Sequence, residues 1–220
     1  MSAVLKTYNP PSSPYLDIVY EDKDILVIDK PSGLLSVAGK GDELKDCVEY
    51  RARMQFGWVA PAHRLDMPTS GIMVLARNKK ALAHISQQFE KRLTKKSYAA
   101  WLYGNLKNEQ GEIDLPLICD WPNRPKQMVC HERGKKAVTR YKVVERTIHA
   151  TRVNFTPITG RTHQLRVHAM AIGHTILGDP MYGDEEARGV ANRLQLHAQN
   201  LGFIHPITDK VMSFSSPAPF

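Results

Sequence analysis

The string His63-Arg64-Leu65-Asp66-Met67-Pro68-Thr69-Ser70-Gly71 gathers the reactive side chains that stand out in this chain. Its proline, hydroxyl residues and glycine make it a loop, and it runs straight into the apolar segment Ile72–Ala76, so a strand holds it at a sheet edge. Asp66 is the sole acidic residue between Glu49 and Glu90, within a stretch rich in Lys and Arg. Nearby cations favour the ionised carboxylate, and an ionised carboxylate can serve as nucleophile or general base. The competing reading is that Asp66 only caps its own turn, accepting from the Thr69 or Ser70 amide.

Other chemistries fare poorly. His163 and His168 are five residues apart and diverge on a helix, no HExxH occurs, and Cys47, Cys119 and Cys130 form no CxxC pair, so no metal is expected. Gly33 to Gly41 resembles a phosphate loop only at a glance, because the spacing is one residue too long and Gly41 stands where a hydroxyl would bind magnesium. No GxSxG elbow is present either. Three cysteines with an odd thiol fit a reducing compartment, and no apolar run approaches the ~20 residues of a spanning helix. No signal peptide leads the chain, so a cytoplasmic protein is expected. The net charge of +8 on 220 residues is unevenly placed: −4 over residues 1–50, +8 over 51–110, +6 over 111–170 and −2 over 171–220. Such a concentration suggests a basic face for a polyanion, the alternative being an ordinary solvated surface.

The elements that must position these groups follow from periodicity. Ile18–Tyr20 and Ile25–Asp29 read as short strands around the turn Glu21–Asp24, and Lys30-Pro31-Ser32-Gly33 breaks the second. A helix is expected from Asp42 to about Phe56, and a strand over Gly71–Arg77. Asn78 should cap the next helix, with Leu82, Ile85, Phe89 and Leu93 on its buried face and Lys91, Arg92, Lys95 and Lys96 at its exit. Ser97–Tyr103, Thr139–Glu145 and Thr151–Thr156 read as strands, Arg161–Ile172 as a helix, and Leu194–His197 and Val211–Phe214 as closing strands. Strands outnumber helices and mostly follow one another, which predicts an α+β fold with a mixed sheet.

Taken whole, His-Arg-Leu-Asp-x-x-Thr-Ser-Gly resembles the active-site motif of the RluA family of pseudouridine synthases. Further strings are similar to the family's in the same order: Lys30-Pro31-Ser32-Gly33, Lys96-Ser97-Tyr98, Pro157 through His168, Gly178-Asp179-Pro180-Met181-Tyr182-Gly183, and Leu194 through Ala198. The resemblance spans about residues 16 to 218. It implies the pseudouridine synthase catalytic fold: α+β, with a mixed, mostly antiparallel sheet, flanking helices and a central RNA-binding cleft. It further implies one catalytic domain over residues 1–220, without the N-terminal S4 domain of many relatives. Asp120 through Gln127 is similar to the short members that modify both a 23S rRNA hairpin loop and the tRNA anticodon loop.

The resemblance also implies roles. Asp66 would be the essential residue, attacking sugar or uracil or removing the 2′ proton. Arg166 would pair with it, unless it is spent on a phosphate or a surface ion pair. Tyr98 would stack on the uracil and assist proton removal from C5, or else be an ordinary core aromatic. Arg64 would fill the gap left by the flipped uridine, since extrusion costs a few kcal/mol and a planar guanidinium both stacks and hydrogen-bonds. Leu196 would form a pocket wall or be merely structural. His63, Thr69, Lys96, Arg124, Lys126, Arg161 and His163 would line the RNA path, and Trp121 would stack on a loop base or pack in the core. The reaction needs no cofactor and no metal. The partners implied are rRNA and tRNA stem-loops, with no membrane and no obligatory protein subunit, so a monomer is expected. The rivals are a catalytically silent RNA-binding protein on the same fold and a hydrolase of the glycosidic bond.

Overall fold

Asp22 makes the first turn. Its Oδ1 accepts the amides of Asp24 and Ile25, both at 2.8 Å, and so joins β1 (Ile18–Glu21) to β2 (Ile25–Lys30) as an antiparallel hairpin. The computed structural model describes residues 8–220, and in it the continuous apolar run of β2 has a simple cause: Ile25, Leu26, Val27 and Ile28 are all fully buried.

The expected helix from Asp42 is split. Asp42–Leu44 forms a single 3-10 turn, and α1 runs only from Val48 to Phe56 with the Cys47 sulfur accepting the Tyr50 amide. Between them Leu35 and Cys47 form an isolated parallel bridge, and Asp46 grips Arg51 through two 2.7 Å hydrogen bonds. That bridge holds the backbone extended at the point where the helix would have had to continue. After the short β3 (Ala60–Pro61) comes β4 (Ser70–Ala76), every residue of which is buried. Gly71, with φ 116°, is required there: a Cβ would lie 2.4 Å from the Ala198 carbonyl oxygen.

Asn78 caps α2 (Lys79–Glu90) as expected, accepting the Ala81 amide at 2.9 Å. Leu93 corrects the sequence reading. Arg92 takes a left-handed conformation (φ 60°) just past the helix, and Leu93 is 60% exposed. Gln88 holds the buried position instead, its amide donating to the Ile204 carbonyl (2.7 Å) and accepting the Ile204 amide (2.8 Å), as a neighbouring strand would.

The rest of the chain supplies β5 (Lys95–Tyr103), β6 (Gln110–Asp114), β7 (Leu117–Cys119), β8 (Gln127–Val129), β9 (Val138–Arg146), β10 (Ala150–Pro157), α3 (Gln164–Ala171), α4 (Glu185–Gly189), β11 (Leu196–Ile204) and β12 (Val211–Ser215). α3 starts three residues later than expected because His163 is left-handed (φ 53°), while the Gln164 side chain accepts the Thr159 hydroxyl and the Arg161 amide.

The chain forms two compact units, one built from Ser97–His197 and the other from the described part of Val4–Lys96 together with Ala198–Pro219. β5 and β11 belong to both, each passing from one unit into the other. In the second unit the strand path is β1-β2-β4-β11, with β3 on β4 and β12 on β11, over a core of Ile25, Val27, Ile72, Val74, Ile85, Leu201 and Phe203. In the first it is β5-β10-β9-β6, with β7 and β8 as a separate hairpin, and Ala100, Phe155, Leu165, Ile176 and Leu196 in its core. This is the expected α+β architecture. Among the described residues, no helix is long and apolar enough to cross a membrane.

Candidate active site

The Asp66 loop is held from behind. The Thr69 amide donates to the Asp66 carbonyl at 3.1 Å, closing the turn with Thr69 buried and Asp66 half-buried. Residues 30–36 then fix the carbonyls on either side of Asp66. The Ser36 hydroxyl donates to Leu65 O (2.7 Å) and its oxygen accepts the Leu65 amide (3.1 Å). The Gly33 amide donates to Met67 O at 2.9 Å, and the Ser32 hydroxyl to Pro68 O at 2.7 Å. Lys30 lies at the centre of this support. Its ammonium, fully buried, donates to the carbonyls of Pro31 (2.8 Å), Leu34 (2.7 Å) and Met67 (3.0 Å). A buried cation is tolerated where its donors are met by acceptors, and here two acceptors lie in the turn after Lys30 and the third, Met67 O, in the loop that presents Asp66.

His63 is a neutral fixture of this unit. Its Nε2 accepts the Val74 amide at 3.1 Å, and its ring stacks on Phe89 with centroids 4.4 Å apart. Burial, helped by the charge of Lys96, pushes its pKa down to about 3. Burial also lowers the Lys96 ammonium, which sits 5.7 Å from the Phe89 ring centroid. Arg64, by contrast, is exposed.

In the other unit, Tyr98 on β5 packs against the cluster that contains buried Leu196. Arg166 is 2% exposed, which removes the surface-pair alternative. It makes a two-pronged contact with Asp179, Nε to Oδ2 at 2.8 Å and Nη2 to Oδ1 at 2.7 Å. Burial would raise the Asp179 carboxyl, but the Arg166 hydrogen bonds and charge, with the Met181 and Tyr182 amides, outweigh it and hold the group below the usual range. The Arg166 guanidinium also lies over the Tyr182 ring, 5.0 Å from its centroid. His163 reaches the same place, with Nδ1 2.7 Å from the Tyr182 hydroxyl.

Trp121 is 66% exposed, so the packed-core alternative falls. It stands on the 3-10 turn Trp121–Asn123 at the tip of the β7–β8 hairpin, with Arg124 stacked 4.3 Å above its ring and Lys126 exposed beside it. Arg161 is exposed, its Nε donating to Lys136 O at 3.1 Å. Within this unit the structure therefore joins Tyr98 with Leu196, His163 with Arg166 through Tyr182, and Trp121 with Arg124.

Among the described residues, Asp22, Asp24 and His205 are the one acidic and histidine group with the spacing of metal ligands. Their atoms already serve a turn: His205 Nε2 is 2.9 Å from Asp22 Oδ2, its Nδ1 accepts the Ile207 and Thr208 amides, and Asp24 Oδ1 accepts from Asn78.

Lys30, Ser36, Asp179 and Tyr182 received no role from the sequence. Three of them lie in strings that matched the family's order, which was the available signal. The RNA pseudouridylate synthase family matches residues 24–171. The chain belongs to this family. Pseudouridine synthases are isomerases, and the chain is one of them. It is 51% identical over 217 residues to the dual-specificity RNA pseudouridine synthase RluA of Pasteurella multocida (strain Pm70), covering 98% of this chain and 99% of that one. The protein of the same name from Escherichia coli (strain K12) is also 51% identical over 217 residues, with the same coverage. Among solved structures, Human RNA Pseudouridylate Synthase Domain Containing 1 superposes with a TM-score of 0.80 at 29% identity, covering 96% of this synthase and 87% of the human chain. Human RNA Pseudouridylate Synthase Domain Containing 4 gives 0.74 at 28% identity, covering 92% and 88%.

Proposed function

We propose that this synthase isomerises loop uridines in two RNAs, a 23S rRNA hairpin and the tRNA anticodon loop, as a cytoplasmic monomer with Asp66 as the essential carboxylate. The observation that carries the reading is the Asp66 turn, whose carbonyls at residues 65, 67 and 68 are each tied to residues 30–36. A group that must meet a reacting carbon benefits from being fixed before substrate arrives. The double target is supported by near-full-length likeness to synthases called dual-specificity, and by the Asp120–Gln127 string.

In this reading the N1–C1′ bond breaks, the uracil turns, and C5 bonds to C1′ while C5 gives up its proton and N1 gains one. The product is an isomer of the substrate, and no oxidant or donor group enters. Arg166 is the partner of Asp66, Tyr98 stacks on the uracil and assists at C5, and Leu196 forms the opposing wall. Arg64, exposed and planar, takes the place of the extruded base. Trp121 with Arg124 and Lys126 grips the loop, joined by Lys96, Arg161 and His163. Thr69 and His63 shape the turn that presents Asp66.

Asp66→Asn tests the proposal. Pseudouridine formation in a stem-loop should stop while RNA binding by gel shift stays within a few-fold. A variant that still forms pseudouridine would overturn the assignment, and free uracil in the wild-type reaction would point to hydrolysis. Mapping pseudouridines at nucleotide resolution in a deletion strain tests the targets: loss at both the rRNA and tRNA loops is expected, and loss at neither refutes them.

A further inference from the structure

Tyr182 stands at a junction that the reaction chemistry does not require. Its side chain is 8% exposed and belongs to a small core with Leu117, Ala137 and Val167, against which Val129 and Met181 pack. Leu117 and Val129 are the two ends of the β7–β8 hairpin, and Val167 follows Arg166 on α3. The two parts of the tyrosine engage different neighbours. The hydroxyl accepts the Gln127 amide at 2.8 Å, at the point where the Trp121–Lys126 loop returns to its hairpin, and meets His163 Nδ1. The ring lies against the Arg166 guanidinium, which Asp179 also holds. The loop itself closes on three backbone hydrogen bonds, from Asp120 N to Lys126 O, Asn123 N to Asp120 O and Lys126 N to Asn123 O, which brace it as one piece on its base.

We infer that Tyr182 is a dual positioning residue, its hydroxyl seating the RNA-gripping hairpin tip and its ring orienting Arg166. This rests on the roles proposed above for Arg166 and for the Trp121–Lys126 loop. The halves of the side chain then serve different kinetic quantities. A hydroxyl that seats the grip acts on substrate capture, and a ring that orients the arginine acts on the chemical step.

Steady-state kinetics of Tyr182→Phe and Tyr182→Leu on a stem-loop separates them. Tyr182→Phe removes the hydroxyl, with its hydrogen bonds to the Gln127 amide and His163 Nδ1, and keeps the ring. KM should rise roughly three- to tenfold, the worth of the Gln127 bond that seats the tip, with kcat changed less than about twofold. Tyr182→Leu removes both and should also lower kcat by roughly tenfold or more. On a stem-free oligonucleotide, which offers the hairpin nothing to grip, the KM effect of Tyr182→Phe should shrink below about twofold. Thermal unfolding of each variant fixes the folded fraction used to normalise kcat, so a variant that merely unfolds lowers active enzyme without altering KM.

The inference is overturned if Tyr182→Phe lowers kcat with KM unchanged, if the leucine variant matches the phenylalanine one, or if the KM effect is equal on both RNAs. Arg166→Lys, run alongside, reports on the underlying reading: wild-type kcat in that variant would sink the role of Arg166 itself, whereas a large loss with undivided Tyr182 effects sinks only the division of labour.

Discussion

Replacing Lys30 by Met removes one ammonium and keeps an unbranched chain of similar length. Three carbonyls lose a donor, but Met67 O retains the Gly33 amide at 2.9 Å. The carbonyls of Pro31 and Leu34 are then left without the group that now satisfies them. A buried acceptor stripped of its partner costs about 1–3 kcal/mol, which sums to about 2–6 kcal/mol for the two. Relief from burying an ammonium offsets part of this, so the net destabilisation expected is about 2–3 kcal/mol. Urea unfolding at neutral pH should show it as a lower midpoint with an unchanged slope. Because Met67 adjoins Asp66, kcat measured well below the unfolding midpoint should also fall, roughly tenfold, while KM holds. Lys30→Arg, with more donors on a bulkier head, should not restore stability in this closed space. A loss under about 0.5 kcal/mol, or full activity in a folded Lys30→Met protein, would refute the view that this lysine supports the turn.

Other outcomes follow from the same geometry. Asp179→Asn removes a two-pronged carboxylate partner from the buried Arg166 charge and should cost about 3–5 kcal/mol, read from urea midpoints. His63, with its folded-state pKa pushed down to about 3 from 6.5, stays neutral in the native protein while the unfolded chain takes up a proton as pH falls below 6.5. Its contribution is therefore complete above that pH and is lost toward pH 3, so acidification from pH 7.5 to roughly 4.5 should destabilise the wild type more than His63→Gln in parallel melts. Equal losses would contradict this. Arg64→Ala, at an exposed site, should change stability by no more than about 0.5 kcal/mol, yet slow turnover on a structured loop far more than on a stem-free oligonucleotide; equal slowing would argue against a base-replacing role.

The strands that hold the Asp66 loop were legible because β2 and β4 are buried on both faces and read as unbroken apolar runs. Asn78 announced its helix through residue type alone. The end of α2 was not legible, because Leu93 continues the helical period while Arg92 turns the backbone, and no periodicity reports a left-handed residue. β7 and β8, at three residues each, are too short to show a period, and β6 is a polar strand with only Ile113 buried. At the site, Asp66 stood out because a lone carboxylate among cations is unusual. Lys30 did not, since a lysine reads as a surface residue and its partners are carbonyls, which carry no signature of residue type. The Arg166–Asp179 pair is separated by 13 residues that span a helix and a loop, a spacing that no repeat would pick out. Residue type alone favoured the core for Trp121, and only its exposure decides the matter.

Two strands shared between units have a consequence for the order of synthesis. β4, which carries the Asp66 loop into the sheet, meets β11 along the stretch where Gly71 faces Ala198, and its core is completed by Leu201 and Phe203. Those residues leave the ribosome only after the whole of Ser97–His197 has been made. The intervening unit can collapse on its own residues first, whereas the Asp66 unit waits with one strand edge and part of its apolar face uncovered. A chain interrupted before β11 would thus carry every motif but the last, Leu194 through Ala198, and still lack the frame that holds Asp66 in place.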